Sequence, residues 1–151
     1  MKYFRFPNII ACSLLAIAFF AAATPATAAD SVRIKATLIL GTNDGGGVDG
    51  SLRQYEKNLK RVLPFDTFKS QGSGSANVSL PGSSRIGIGG GQTVNVDVQS
   101  TGDSKYRIAA RWSKGGQTYI NTTVVASKNR PTVLVGPSSG GGKLILLLVA
   151  N

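Results

Sequence analysis

The sequence predicts a mainly β, single-domain antiparallel β-sandwich of eight or nine strands, with one amphipathic helix packed on it. Three observations carry this. Short segments of alternating apolar and polar residues recur from Val32 onward, separated by turns rich in Gly, Pro and Ser. Only residues 51–63 show helical spacing. The last segment, 143–150, is apolar on both faces and demands cover on both sides.

Residues 1–29 read as a cleaved secretory signal, leaving 30–151 as the folded domain. Lys2 and Arg5 give a positive start, residues 9–23 an apolar run, and Pro25 a break. Ala26-Thr27-Ala28 places cleavage before Ala29; Thr27-Ala28-Ala29 would place it before Asp30. The apolar run falls short of the roughly 20 residues that span a bilayer. Cys12 sits ahead of most of the apolar run, where a lipid-anchoring cysteine should follow it. Cleavage removes this single cysteine, so the mature domain must stand on its core and backbone pairing without a disulfide.

The strands follow in order. Residues 32–40 place Val32, Ile34, Ala36, Leu38 and Leu40 on one face, with Ile39 joining the other late. Residues 41–50, GTNDGGGVDG, form a glycine-rich loop. Its Asn43, Asp44 and Asp49 lack the alternation and closing glutamate of a calcium loop. Over 51–63, Leu52, Tyr55, Leu59, Val62 and Leu63 form an apolar face, and Arg53, Lys57, Lys60 and Arg61 a basic one. Ser51 or Asp49 would cap this helix, and Pro64 would stop it. The basic face suits either an anionic membrane or solvent above a packed helix.

Short strands are expected at 65–70 and 75–80, joined by a flexible turn at 71–74, then at 85–88 and 92–100. Residues 105–126 form a hairpin turning at Lys114-Gly115-Gly116. Tyr106, Ile108, Ala110 and Trp112 share its inner face, which makes Trp112 a core residue. Residues 132–136 and 143–150 complete the set, with 137–142 as a loop. The last strand is expected centrally, beside 32–40, between the opposing sheet and the helix.

The chemistry is bounded by what is missing. There is no histidine, which removes the usual zinc, copper and haem ligand and the bases of Ser-His-Asp and Cys-His catalysis. Of the seven carboxylates only Asp66 and Asp97 are strand candidates, and nothing links them as a glycosidase pair. Residues 136–143, GPSSGGGK, miss the phosphate-loop spacing, and Leu144 stands where Ser or Thr is required. Residues 85–92, RIGIGGGQ, contain no dinucleotide fingerprint. Asn77-Val78-Ser79 and Asn121-Thr122-Thr123 match the glycosylation sequon by coincidence in a Ser/Thr-rich sheet. No enzyme, cofactor or metal site is expected.

Charge is the positive signal. The chain has 17 Lys and Arg against 7 Asp and Glu, and without Lys2 and Arg5 the mature net charge is +8. Lys105, Arg107 and Arg111 alternate along one strand; Tyr119 and Asn121 on the return strand would interleave with them. This face and the basic helix face are the candidate anionic-ligand surfaces. Taken together, SLRQYEKNLKRVLPFDTF and GPSSGGGKLILLLVA resemble small exported bacterial β-rich proteins. That resemblance implies an envelope location, periplasmic or extracellular, and no chemistry. The expected function is a non-enzymatic exported sandwich that binds or scaffolds an envelope component. The alternatives are a subunit of a secretion or pilus-like assembly and a binder of anionic lipid or acidic glycan. Nucleic acid is not expected as a partner, nor a transmembrane segment in the mature chain.

Overall fold

The computed structural model describes residues 30–151; the expected signal, its cleavage point and Cys12 lie outside the described residues. The chain runs β1 (Ser31–Thr42), a 3-10 turn (Gly50–Tyr55), α1 (Glu56–Val62), β2 (Thr67–Ser79), β3 (Gly82–Gly89), β4 (Gln92–Gly102), β5 (Lys105–Lys114), β6 (Gln117–Ser127), β7 (Pro131–Ser139) and β8 (Gly142–Ala150). Two four-stranded antiparallel sheets form, ordered β2-β1-β8-β7 and β3-β4-β5-β6. The β-sandwich stands as the sequence predicts, with one α-helix among the described residues.

The final strand is central. β8 pairs with β1 on one edge and β7 on the other. Leu146 and Leu148 point into the core between the sheets, with Val32, Ile34, Val96, Ile108 and Trp112. Ile145, Leu147 and Val149 point outward, under Leu52, Leu59 and Leu63. The molecule therefore has three layers: helix, first sheet, second sheet.

Three local expectations are corrected. The helix is not one run over 51–63. It opens as a 3-10 turn and becomes α-helical only at Glu56. Leu63 is already extended, with ψ 138, because Pro64 follows it. Leu63 consequently turns inward, while Val62, expected on the apolar face, is 54 % exposed. Neither Ser51 nor Asp49 caps through its side chain. The Asp49 carboxylate instead accepts the Ser70 amide at 2.8 Å, tying the loop to β2.

The strands expected at 65–70 and 75–80 are one continuous β2 of 13 residues. Gly72 and Gly74 are contact points, not a turn. A Cβ on Gly72 would lie 2.2 Å from the Ile88 carbonyl oxygen, and one on Gly74 2.1 Å from that of Gly87. Side chains here would push β2 off β3, so the glycines let the sheets close along this margin. A register shift lies between Leu38 and Ile39: Leu38 pairs with Gly72 and Ile39 with Ser70, leaving Gln71 as the extra residue. This bulge reverses which face even-numbered residues occupy. Phe68 therefore packs under the helix while Val78 enters the core between the sheets.

The loop expected at 137–142 shrinks to a turn at Gly140-Gly141, because β7 runs to Ser139 and β8 starts at Gly142.

Candidate functional site

The second sheet has one buried face and one uncovered face. Ile86, Ile88, Val94, Val96, Val98, Ile108 and Trp112 fill the first. Strand alternation then fixes what stands on the other. The β5–β6 hairpin turns through Gly115 and Gly116, both at positive φ (53 and 83), the geometry that matches the twist of the flanking strands. Its register aligns Arg111 with Asn121, and that of β4–β5 aligns Arg111 with Asn95. Asn95 in turn faces Arg85 on β3. One row therefore crosses all four strands as Arg85, Asn95, Arg111, Asn121.

The neighbouring row is Ser83, Asp97, Ala109, Thr123. Ser83, Ala109 and Thr123 form a low floor beside the two arginines, and Asp97 sets one carboxylate into it. Together the rows make a shallow depression of about 430 Å³. Arg85 and Arg111 are rooted two strands apart, roughly 10 Å. Arg107 continues the basic line along β5, aligned with Gln99 and Val125. Lys105 stands at the far end of the strand, beside Ser127. All four basic side chains belong to exposed residues. Among the described residues only Lys60–Glu56 and Lys69–Asp44 form ion pairs; Asp97 is the one carboxylate lining this depression, and neither Arg85 nor Arg111 is paired to it.

Tyr119 does not join them. Trp112 pairs with Ile120 and Ser113 with Thr118, so Tyr119 is the extra residue of a bulge. Its ring turns to the core side and meets Trp112 edge-on, centroids 5.6 Å apart. Trp112 itself is fully buried, and its indole N–H donates to the Gln92 side-chain oxygen at 2.8 Å. The tryptophan is a core residue, as its place in the alternation predicts.

The helix residues lie elsewhere. Arg53, Lys57, Lys60 and Arg61 are exposed on the helical layer, with both sheets between them and the arginine row. Lys60 donates to the Glu56 carboxylate at 2.6 Å, and the Arg61 guanidinium donates to the Asn58 side-chain oxygen at 3.4 Å. The two candidate surfaces face opposite sides of the molecule and cannot grip one small ligand together.

No family model, curated protein or solved structure matches this chain.

The acidic loop is committed to its own fold. Asn43 accepts the Asp66 amide at 3.0 Å, Asp66 accepts the Thr67 hydroxyl at 2.7 Å, and Asp44 accepts the Gly46 amide at 3.1 Å. The Thr67 hydroxyl, and after it the Gly46 amide, holds the Asp44 carboxyl below its ordinary value. Asp66 sits in this cluster and Asp97 on the outer face of the opposite sheet, so they do not form a pair across one substrate. Among the described residues no helix is long and apolar enough to cross a membrane.

Sequence reasoning missed Arg85 and Asn95. The fragment RIGIGGGQ draws the eye to its glycines, and its arginine carries no motif of its own. The usable signal was alternation: Ile86 and Ile88 must face inward, so Arg85 faces out. Consecutive hairpins β3-β4-β5-β6 then bring Arg85 level with Arg111.

Proposed function

We propose that this protein is a non-enzymatic, exported β-sandwich that binds an anionic component of the cell envelope on the outer face of its second sheet. The carrying observation is the Arg85–Asn95–Arg111–Asn121 row, in which two guanidinium groups outnumber the single nearby carboxylate, Asp97, and neither is paired to it. Guanidinium groups bind carboxylate and sulfate through two parallel N–H donors, and amides between them accept or donate to hydroxyls. A flat row crossing four strands suits an extended chain better than a compact solute. Its preferred ligand is therefore an acidic glycan. The signal-like residues 1–29 support delivery to the envelope.

The test is retention on immobilised alginate at low salt. Arg85→Glu and Arg111→Glu should each weaken retention about tenfold, the scale of losing one charge-assisted hydrogen-bonding partner. Lys57→Glu and Arg61→Glu, on the helical layer, should leave it nearly unchanged. Equal losses from both pairs would reduce the attraction to net charge and remove the site.

The assembly alternative took its motive from an apolar terminal strand free to pair with a neighbour. β8 is paired on both edges, so that strand offers nothing. Any strand exchange would have to use another edge.

A further inference from the structure

The first sheet ends at β7, whose outer edge has no strand partner among the described residues. The helix does not cover this end. Its buried contacts are with Ile39, Phe68, Ile145, Leu147 and Val149, on β1, β2 and β8, and Val133 is the one β7 residue against that cluster. A groove of about 580 Å³ remains between α1 and β7. Its floor is apolar: Val133 is half-buried, Val135 is 44 % exposed and Val62 is 54 % exposed. Arg61 and Arg130 stand on its rim, and no carboxylate lines it.

We propose that the outer edge of β7 takes up a short extended segment of a partner protein, with apolar residues at alternate positions and an acidic residue at each end. The backbone edge offers unpaired N–H and C=O groups to a strand laid beside it. Such a strand puts every second side chain on the helix side. Apolar side chains there would cover Val133, Val135 and Val62. A carboxylate at either end would meet Arg130 or Arg61. Pro131 and Pro137 bracket the stretch 132–136 and remove the amides at its ends, which keeps the added strand short. A second copy of this chain does not fit: β7 itself, PTVLVGPSS, has no acidic residue, and pairing two would set arginines against arginines.

The probe is a fluorescent peptide as long as β7 in which valine alternates with serine and a glutamate stands at each end, read by anisotropy at low salt. It should bind. Arg130→Glu and Val135→Glu, both at exposed positions, should each weaken binding about tenfold. Arg85→Glu, on the opposite face, should not. Methylating the peptide amides along one edge should abolish binding for one choice of edge. Four results would overturn the proposal. These are no binding of the glutamate peptide at millimolar concentration, equal binding of a lysine-for-glutamate peptide, indifference to methylation of either edge, or Arg130- and Val135-dependent binding to anionic phospholipid vesicles with none to the peptide. The last would make this face a lipid surface. Circular dichroism of each variant separates lost binding from lost fold.

Discussion

Trp112, Gln92 and Gly136 form one contact across the sandwich. A Cβ on Gly136 would lie 2.3 Å from the Trp112 ring, so the bare backbone of β7 is what lets the indole close against the facing sheet. Gly136→Ala should destabilise the protein by about 1–3 kcal/mol, the usual cost of overfilling a packed core. Gln92→Ala should cost about the same, by leaving a buried indole N–H without an acceptor. Thermal or urea unfolding measures both. Asp44 gives a pH-dependent counterpart. Its carboxyl titrates below its ordinary value of 3.8 in the fold, so the unfolded chain binds the proton more readily. The stability it adds is present above that value and lost as pH falls through the lower folded value. Asp44→Asn should therefore be less stable than the parent at neutral pH, with the gap closing in acid; a gap constant with pH would contradict this. The inward side of Trp112 was legible from alternation alone. Its dependence on Gly136 was not, because the two residues meet through a tertiary contact that no local pattern encodes.

At the scale of elements, what was legible follows the same division. The β5–β6 hairpin and the double-faced β8 were readable because their patterns are long and unbroken. β2 was not. Its SQGSGS stretch carries turn-forming residues, yet it runs as a strand because β3 lies too close for side chains. Gly74→Ala tests this. The clash is with backbone, which cannot swing aside, so the loss should reach about 3 kcal/mol, whereas Gly87→Ala, with open space at its Cβ, should cost far less. Equal effects would return 71–74 to a turn. The helix makes a second comparison. Leu59→Ala empties a fully buried position and should cost about 2–5 kcal/mol, while Val62→Ala should be nearly silent. A regular helical wheel over 51–63 would have ranked the two as equals; the 3-10 opening and Pro64 shift the phase.

At the scale of the molecule, the basic charge divides between two opposite faces, which composition could not show. Half of the arginine face was readable: Arg107 and Arg111 come from one alternating strand. Arg85 joins them only through strand order, and Tyr119 leaves them only through a bulge. If export is the route, protein recovered from the envelope fraction should begin at Ala29 or Asp30, as N-terminal sequencing would show; retention of residues 1–28 would refute it.

The close approach of β2 to β3 has a consequence for growth. A sheet that propagates from molecule to molecule needs two open margins, and in each sheet of this protein one margin is spent against its sister. Both remaining margins, on β6 and β7, lie along the same flank. Strands added to this protein can terminate there but not pass through. Concentrated protein should therefore go no further than edge-paired dimers, as light scattering would show, and growing fibres would contradict this.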